Sequence, residues 1–536
     1  MKPLRFTLTL LAGCTLIQPA QAQTQGVDCR PWQRADAARR DLLIGDIRIE
    51  NSDIFNPDDP KENRWYNRTA NRLHINTRAD IIERHLLFRA GDRFDADRMA
   101  ESERLLRAQK YIKEAKITPQ QLCGNQVNIR VHTTDNWTLT PGLSIGRSGG
   151  NNSSSLEVEE HNLLGFGKSL SLSYQHDSER NQTRFGYFDP HFLGSHRELR
   201  LATQNNTDGQ GYELGLRQPF YAFDSRTAWG FEASVLKQEQ SFYQQGEVVS
   251  KTGEDRHSGK VFYGWSAGRQ EDAAQRYLIG WQYERKAWFP TDTTPHAPPA
   301  LVQSYPWIGY EYVQDDYTVR ENFRTMGKTE DIALGHRLAA SAGVLHKSLG
   351  ADGNYLKLDA RYSKGFMPGE KQLGLVELES SAWLGNGRLQ GGRARLKLEW
   401  NHFSRPHSSW YLGGELNVAS NLLPGEQVLL GGDNGLRGYP TGYQSGDKSL
   451  VLNAEKRFFF NWYPLRMARV GAAVFADVGT AWGQGHPAEW LGDVGLGLRI
   501  VSTRSSSGKN PDMIRRCHSS PNTRRTHWLI GTETHF

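Results

Sequence analysis

Residues 169–174 read Ser-Leu-Ser-Leu-Ser-Tyr, so that polar and apolar side chains alternate. This period of two predicts a β-strand with one polar and one apolar face. The same alternation, bounded by Gly, Asn, Asp and Ser, recurs throughout the chain after residue 137. The further predicted strands are residues 183–188, 198–203, 212–217, 227–236, 260–267, 277–284, 355–362, 394–400, 411–418, 450–458 and 468–475.

The length of this strand-rich region favours an all-β transmembrane barrel over residues 137–536. At about 10 residues per membrane strand, the region accommodates about 16 antiparallel strands. A soluble sandwich of this size would have divided into domains. The whole chain of 536 residues is only 37% hydrophobic, which excludes a bundle of apolar membrane helices. Its net charge of +6 predicts no nucleic-acid partner.

The beginning of the chain predicts export. A basic head at residues 1–5, an apolar segment at residues 6–17 and the small residues Ala-Gln-Ala at 20–22 are typical of a secretory signal. Residues 1–22 are therefore expected to be removed. The alternative is a lipoprotein box that would lead to acylation of Cys14.

Residues 23–136 show a mixed pattern, which predicts one small α+β domain. The predicted order is strand, helix, helix, strand, strand. The elements are a strand at residues 42–49, a helix that opens at residues 77–80, a helix capped by Asp95 or Asp97, and strands at residues 111–117 and 126–131.

This order resembles that of a POTRA domain, the polypeptide-transport-associated module of the bacterial periplasm. The residues that carry the resemblance are 86–94 (Leu-Leu-Phe-Arg-Ala-Gly-Asp-Arg-Phe), 102–106 (Ser-Glu-Arg-Leu-Leu) and 111–112 (Tyr-Ile). The resemblance implies that a sheet edge binds client polypeptides or accessory lipoproteins by strand addition. The alternative is a spacer that only orients the barrel.

Cys29 and Cys123 bracket this domain, and we predict that they form a disulfide because an exported protein meets an oxidising compartment. Closing so long a loop contributes about 4 to 5 kcal/mol in the chain-entropy model. The alternative is two free buried thiols. No Cys-x-x-Cys pair or His/Cys cluster predicts a metal or redox centre, and no cofactor is expected.

The C-terminus predicts a final barrel strand whose one face is mostly apolar and ends on an aromatic residue. The residues of that face are Trp528, Ile530, Thr532, Thr534 and Phe536. The pattern looks like the terminal signal of bacterial outer-membrane barrels. We therefore expect the barrel in the bacterial outer membrane and the POTRA domain in the periplasm.

Aromatic residues near strand ends predict the aromatic girdles of a membrane barrel, as at residues 458–460 (Phe-Phe-Phe). Lys456 and Arg457 come directly before these rings. The expectation is that both charges stay in water at a membrane boundary.

The most specific motif is Gly-Gly-Asp-Asn-Gly-Leu-Arg-Gly-Tyr at residues 431–439, followed by Phe-Ala-Asp-Val-Gly at residues 475–479. Together they resemble the signature of the outer-membrane assembly and translocation superfamily, that of BamA, TamA and the two-partner secretion transporters, also called bacterial surface antigens. The resemblance implies that Arg437 lies in a long sixth extracellular loop, folded into the barrel to meet Asp477. The implied loop latch comprises Arg437, Gly438, Tyr439, Phe475, Asp477 and Gly479.

Such a pairing is physically sensible, because a guanidinium can donate two parallel hydrogen bonds to one carboxylate inside a partly water-filled lumen. The alternative is an ordinary solvated turn at Arg437 and a carboxylate at a strand end at Asp477. Residues 162–167 and 189–194 also look like early-barrel sequences of the same family.

The first barrel strand, predicted at residues 137–146, contains Pro141, which cannot donate a ladder hydrogen bond, and Gly142, which weakens strand packing. We predict a weak seam between this strand and the last one, which carries Trp528, Ile530 and Phe536. The alternative is that Pro141 simply begins the strand.

Residues 504–526 do not fit the strand pattern where a penultimate strand is expected, because six basic residues accompany a single Asp512. This segment is either a long basic extracellular loop or a stretch in which the reading frame was altered and restored.

These patterns predict a protein that assists insertion or translocation of polypeptides or lipids at the outer membrane, with no catalytic residue. No zinc-type His-Glu-x-x-His motif or P-loop predicts an enzyme. The expected partners are the outer-membrane bilayer, a client polypeptide or lipid at the POTRA edge, and a periplasmic or lipoprotein partner.

Three alternatives stay open. A two-partner secretion transporter would usually carry two POTRA modules and a plug helix, for which the stretch before Leu43 leaves little room. A passive porin needs neither a POTRA domain nor an Arg-Gly-Tyr loop, and an outer-membrane hydrolase should depend on a single Ser.

Overall fold

A computed structural model describes residues 28–533 apart from residues 40, 149–150, 178, 386, 425, 433, 484, 486, 505–509 and 519–526. The predicted signal peptide with Cys14, and the terminal Phe536, lie outside the described residues. Trp528 and Ile530 are described by their backbone alone.

The chain divides into two compact units. The first consists of the residues up to Arg48 with Arg89–Phe94 and Thr118–Arg130. The second consists of Ile49–Phe88, Asp95–Ile117 and the residues from Val131 onward.

The first seven elements of the chain form a small α+β arrangement, as predicted. Its four-stranded sheet has the order β1-β3-β4-β2. The elements are β1 (Cys29–Pro31), β2 (Leu43–Ser52), α1 (Trp65–Leu73), α2 (Ala79–Arg84), α3 (Ala96–Arg107), β3 (Ile112–Cys123) and β4 (Gln126–Asp135), with a 3-10 helix at Arg34–Ala38.

The predicted order of elements lacked the short strand β1 and one helix, α1. The sequence of α1 is mostly polar, and its large apolar residues Trp65 and Leu73 are exposed, so that no buried apolar stripe marks it as a helix. The cap of α3 is resolved, because Asp95 accepts hydrogen bonds from the backbone N–H groups of Asp97 and Arg98.

Cys29 and Cys123 form a disulfide in the first unit. The two residues are directly opposite each other on the antiparallel strands β1 and β3. Ile44 and Val127, which are almost completely buried, contribute to the core of the same unit.

Twenty further strands form a closed antiparallel barrel in the described part of the chain. Two short hairpins, β15 with β16 and β22 with β23, form separate two-stranded sheets that are not part of the barrel wall. In chain order the strands are β5 (Leu139–Ser148), β6 (Asn151–Glu160), β7 (Ser169–His176), β8 (Asn181–Asp189), β9 (Glu198–Asn206), β10 (Gly209–Gln218), β11 (Thr227–Gln244), β12 (Glu247–Gln270), β13 (Ala273–Phe289), β14 (Leu301–Gln314), β15 (Tyr317–Glu321), β16 (Thr329–Ala333), β17 (Arg337–Leu345), β18 (Tyr355–Gly369), β19 (Gln372–Gly385), β20 (Arg388–Arg405), β21 (Ser408–Ser420), β22 (Val428–Leu430), β23 (Gln444–Gly446), β24 (Lys448–Phe459), β25 (Ala468–Trp482), β26 (Leu491–Ser502), β27 (Asn510–His518) and β28 (His527–Glu533).

The transmembrane barrel is confirmed, but the predicted number of about 16 strands was too low. Several connections are only two residues long, such as residues 207–208, 271–272 and 370–371, so that less of the chain lies in loops than was assumed. Strands such as β17 were also missed, since its Ala, Ser and Gly side chains are too small to give a clear apolar alternation.

The barrel wall is apolar outside and polar inside, as β26 demonstrates. The exposed residues of this strand are Val494, Leu496, Leu498 and Ile500. The residues that alternate with them along the strand are buried and include Asp493 and Arg499. This is the reverse of a soluble sheet and suits a strand that has lipid on one face and a lumen on the other. None of the described helices is long and apolar enough to cross a membrane.

The last strand, β28, neighbours the first, β5, and thereby closes the sheet. Pro141 is the third residue of β5, where it is paired with Val158 of β6. In the region that did not fit the pattern, β27 occupies the place of the penultimate strand. Residues 505–509 and 519–526 on either side of it lie outside the described part of the chain.

The second unit contains a buried histidine pair where α2 meets the turn between β8 and β9. The rings of His85 and His191 are 4.7 Å apart, and His85 Nε2 lies 2.8 Å from the Tyr111 hydroxyl oxygen. Burial lowers the pKa of His85 to about 3. Burial lowers the pKa of His191 to about 4, and the positive charges of His196 and Arg84 act in the same direction.

We expect acid to loosen this junction. Because the pKa of a histidine is near 6.5 in the unfolded chain, the open state binds more protons below that pH, and stability is lost as the pH falls toward the lowered folded-state values. At pH 5 the loss is about 2 kcal/mol for His85 alone. Hydrogen exchange of residues 79–88, compared at pH 7 and pH 5 after correction for the intrinsic rate, measures it.

The control variant is His85→Gln, whose amide can still bond to the Tyr111 hydroxyl but cannot be protonated. It should show a smaller increase in exchange on acidification than the parent protein. An equal increase in both proteins would contradict the assignment to His85.

Candidate functional site in the barrel lumen

Residues 421–447, between β21 and β24, form the loop that carries the Arg-Gly-Tyr motif. The loop contains the small hairpin of β22 and β23. At this end of the barrel it is the eighth connection in the described chain, whereas the predicted position was the sixth. The difference follows from the four additional strands, which add two hairpins before it.

The structure brings Arg437 and Asp477 together on the inner wall. Arg437 donates two hydrogen bonds to the carboxylate, from Nε and Nη2, both of 2.8 Å. The Asp477 side chain is completely buried, and Arg437 is 14% exposed. Asn453 donates a further bond of 2.8 Å to Asp477, and the guanidinium lies 3.6 Å from the ring centre of Phe475. This is a forked ion pair covered by an aromatic face.

A second carboxylate, Glu455, extends the contact along β24. It accepts bonds of 2.6 and 3.0 Å from Arg499 and one of 2.8 Å from Arg457. Arg437 also donates to it, over 3.3 Å. Glu455 is therefore shared by one arginine of the loop and two of the wall.

The buried cluster is balanced in charge. Its members are Arg437, Arg457 and Arg499 with Glu455, Asp477 and Asp493. Burying so many charges is favourable only if each has an opposite partner, and removing one partner of such a pair typically costs about 3–5 kcal/mol. We call these six residues the lumen charge cluster.

Gly438 and Tyr439 continue the contact of the loop with the wall. The Gly438 N–H donates a bond of 2.8 Å to Asp493, and a Cβ at Gly438 would lie 2.6 Å from the Asp493 Cβ, so that only glycine fits this approach. Tyr439 is buried and packs with Leu430 and Leu436 against the wall residues Val451, Ala481 and Leu491.

Phe475 and Gly479 lie on β25 beneath the loop. Phe475 is buried and supplies the ring under the Arg437 guanidinium. A Cβ at Gly479 would lie 3.5 Å from Leu436 and 2.9 Å from the Leu450 carbonyl oxygen. All six residues of the predicted latch therefore lie in or next to one loop-to-wall contact.

Sequence reasoning missed Glu455, Asp493 and Arg499, and it misplaced Arg457. The signal was present in β24, where Asn453, Glu455 and Arg457 share one face of the strand. The expectation that Arg457 stays in water was wrong, because it is only 2% exposed and bonds to Glu455. The adjacent Lys456 side chain points to the opposite face, as alternation along a strand requires.

At the other end of the barrel, the hairpin of β15 and β16 lies across the lumen. Asp315 at its base pairs with Arg104 of α3 over 2.6 Å, and Asp331 pairs with Arg107 over 2.7 Å. Its tip contacts β24, β25 and β26, since Met326 packs with Phe459 and Val501 and lies against Gly471. The hairpin thus reaches seven strands around the wall from β17 to β26.

The hairpin also touches the lumen charge cluster. Arg457, which pairs with Glu455, donates a bond of 3.4 Å to the carbonyl oxygen of Phe323 in the hairpin tip. Glu455 therefore bonds to the arginine of the loop and to the arginine that holds the hairpin. The two segments that occupy the lumen meet the same buried charges.

Beside the loop the lumen contains a cavity of about 1090 Å³. Asn434 and Gly435 of the loop form part of its wall. Its charged lining includes Lys260, Asp359, Arg361, Glu379, Arg395 and Glu415. The described residues contain no group of three or more His, Cys, Asp or Glu side chains that could hold a metal ion.

Replacement of Arg437 by alanine should release the loop. Asp477 and Glu455 would lose a charged partner, and a cost of about 3 kcal/mol or more corresponds to at least a hundredfold larger population of the open loop. Limited proteolysis of residues 421–447 in the folded barrel measures that population, and the heat-dependent gel shift of the barrel verifies folding.

Arg393→Ala is the matched control. Arg393 also joins the wall to this loop, through Glu426 over 2.7 Å, but its side chain is half exposed. Exposed pairs contribute about 1 kcal/mol or less. Equal cleavage in both variants would show that the buried cluster does not hold the loop.

Comparison with known proteins gives a family and several similar folds. An Omp85 superfamily domain matches residues 162–504. CdiB from Acinetobacter baumannii is 13% identical with a TM-score of 0.45, covering 92% of this chain and 73% of that chain. BamA from Haemophilus ducreyi, lacking POTRA domains 1–3, is 12% identical with a TM-score of 0.39, covering 95% and 88%.

CdiB from Escherichia coli is 11% identical with a TM-score of 0.36, covering 96% of this chain and 93% of that chain. No match was found among the curated proteins. Since the family match spans more than half of the sequence, the chain belongs to the Omp85 superfamily of outer-membrane β-barrels.

Proposed function

We propose that this chain inserts or translocates polypeptides at the outer membrane and performs no chemical reaction. The observation that carries the proposal is the occupation of the lumen at both ends by segments of the chain itself. The loop of residues 421–447 and the hairpin of β15 and β16 are both bonded to the wall by side chains. Such bonds can break while the backbone pairing of the barrel stays intact.

A passive pore explains these features poorly. Diffusion of solutes needs an open, water-filled lumen, whereas a bonded loop and a bonded hairpin obstruct it. Burying six charged groups costs desolvation free energy, which apolar side chains closing a pore permanently would not require. Segments that can be released suit a protein whose lumen or wall opens only for a client.

The seam between β5 and β28 supports insertion through the wall. Pro141 lacks the N–H that a ladder needs, and Gly142 packs little against its neighbours. A client strand could pair with the exposed edge of an opened seam, so that its own folding supplies the free energy. In this proposal residues 137–536 form the outer-membrane barrel.

Residues 23–136 are proposed to act as a POTRA domain in the periplasm. Strand β2 is at one end of the four-stranded sheet and is therefore an edge strand. Its first residues are bonded to residues 91–94, which leaves its later part as the place for an added strand. A client segment or an accessory lipoprotein could bind there by strand addition.

A second candidate function is transport through the lumen, as in a two-partner secretion transporter. The cavity of about 1090 Å³ beside the loop favours it, because withdrawal of the loop would extend this space toward the outer face. Its lining of paired charges would interact weakly with an extended polypeptide. Insertion through the wall requires the seam between β5 and β28 to open, whereas secretion through the lumen requires the loop to leave the wall.

Two disulfide locks should separate them. One joins cysteines at facing positions of β5 and β28. The other, Leu436→Cys with Gly479→Cys, ties the loop to the wall, where the Gly479 Cβ position lies 3.5 Å from Leu436 Cγ. Insertion predicts that the seam lock abolishes folding of a urea-denatured eight-stranded barrel added to proteoliposomes, and that reductant restores it.

Secretion through the lumen predicts the opposite result, with loss of export when the loop is locked and none when the seam is locked. Each single-cysteine variant controls for its substitution. Full activity with both locks in place would contradict the proposal in either form.

The POTRA proposal also has a direct test. A photo-crosslinking residue at the exposed position Asp46 of β2 should capture a polypeptide in living cells. The same residue at Asp58, an exposed position outside the sheet, is the control and should capture little. Mass spectrometry of the captured species identifies the client, and equal capture at both positions would contradict binding at the sheet edge.

A further inference from the structure

Helix α1, Trp65–Leu73, presents an unusual exposed face. Residues four apart lie above one another on a helix, so that this face consists of two parallel rows. One row is basic and contains Arg64, Arg68 and Arg72; the other is largely apolar and contains Trp65, Thr69 and Leu73. Trp65 is 72% exposed and Leu73 is 70% exposed.

Both ends of α1 are tied to the ends of barrel strands. Before the helix, Ile54 accepts a bond of 2.6 Å from Arg504, which also pairs with Glu62. After the helix, Thr77 accepts a bond of 2.8 Å from Asn162. Arg504 follows β26 and Asn162 follows β6, so these contacts lie on opposite sides of the seam formed by β28 and β5. Helix α1 therefore lies at the level where the strands around the seam leave the membrane.

The lipid-facing surface of the barrel extends to this helix. On β6, Leu156 is 56% exposed and Val158 is 43% exposed. In the turn after β6, Leu164 is 61% exposed in a left-handed conformation at φ 55°. Ile75, two residues after the helix, is 53% exposed, and its side chain reaches the place where a Cβ on Gly165 of that turn would be. Apolar side chains thus run from the strands through the turn to α1.

The basic row identifies the occupant of this face. Among the described residues, neither Arg64, which precedes the helix as its N-cap, nor Arg68 or Arg72 forms an ion pair with a carboxylate. Guanidinium groups bind phosphates with two hydrogen bonds, and tryptophan favours the interface between lipid and water. An amphipathic helix with a basic face and apolar anchors is typical of a segment that lies in a membrane interface.

We propose that the exposed face of α1 binds the periplasmic leaflet next to the seam, with Trp65 and Leu73 among the lipids and the three arginines on anionic phospholipid headgroups. The helix would lie in the membrane interface at the place where the barrel closes. This contact needs no client, so that its test is independent of the proposed insertion or translocation.

The test uses the full chain in nanodiscs of phosphatidylcholine with and without phosphatidylglycerol. A nitroxide label is placed at Thr69→Cys in a Cys517→Ser background, with a second label at Asp58→Cys as the aqueous reference. We expect the label at residue 69 to collide more often with oxygen than with a water-soluble nickel chelate, and more so with phosphatidylglycerol. The label at residue 58 should stay accessible to the chelate in both lipids.

A triple variant examines the charges. Replacing Arg64, Arg68 and Arg72 by glutamine should abolish the effect of phosphatidylglycerol on the label at residue 69. The matched control replaces three exposed arginines of the first unit and removes the same charge without altering the effect; these are Arg34, Arg89 and Arg93. The heat-dependent gel shift verifies that each variant contains a folded barrel.

Chelate accessibility at residue 69 equal to that at residue 58 in both lipids would overturn the proposal. So would a label that is immobilised only when an unfolded polypeptide is added, since the face would then bind clients. An identical effect of phosphatidylglycerol in the triple variant and its parent would exclude the arginines as the headgroup contact.

Discussion

The constraint on which this structure depends is that lipid offers no hydrogen bonds. Every backbone N–H and C=O in the membrane must be paired within the sheet, which requires a closed barrel without an edge. The pairing of β28 with β5 meets this requirement. Closure also places alternate side chains of every strand inside, where charged groups such as Asp493 and Arg499 can gather away from lipid.

The lumen charge cluster binds both chain segments that occupy the enclosed lumen. Its three carboxylates and three arginines are buried close together, and loss of one partner of an ion pair would leave the other charge uncompensated. Glu455 bonds to Arg437 of the loop and, through Arg457, to the carbonyl oxygen of Phe323 in the hairpin. A continuous chain of contacts therefore joins the loop at one end of the lumen to the hairpin at the other.

Sequence reasoning succeeded where one local pattern has one physical meaning. Alternation placed all twelve of its predicted strands after residue 137 within observed strands, as at Ser169–His176. It failed where the pattern is weak or reversed. The small side chains of β17 gave no signal, and α1 escaped notice because its apolar residues face outward. The number of strands was underestimated because turn lengths cannot be read from alternation.

By itself the sequence determined that the chain forms a strand-rich membrane barrel after an α+β region, and that Arg437 and Asp477 belong to linked motifs. Periodicity and motif spacing involve residues that are close in sequence, so that they can be read without the tertiary structure. Only the tertiary structure decided that the described part of the chain forms a barrel of twenty strands and that Glu455, Arg457, Arg499 and Asp493 complete the cluster. Glu455 and Arg457 lie on β24, and Asp493 and Arg499 lie on β26, with β25 between the two strands. Only the folded sheet and the loop that turns into the lumen bring these side chains to Arg437 and Gly438, because contacts between strands and across a lumen are not written in local sequence patterns.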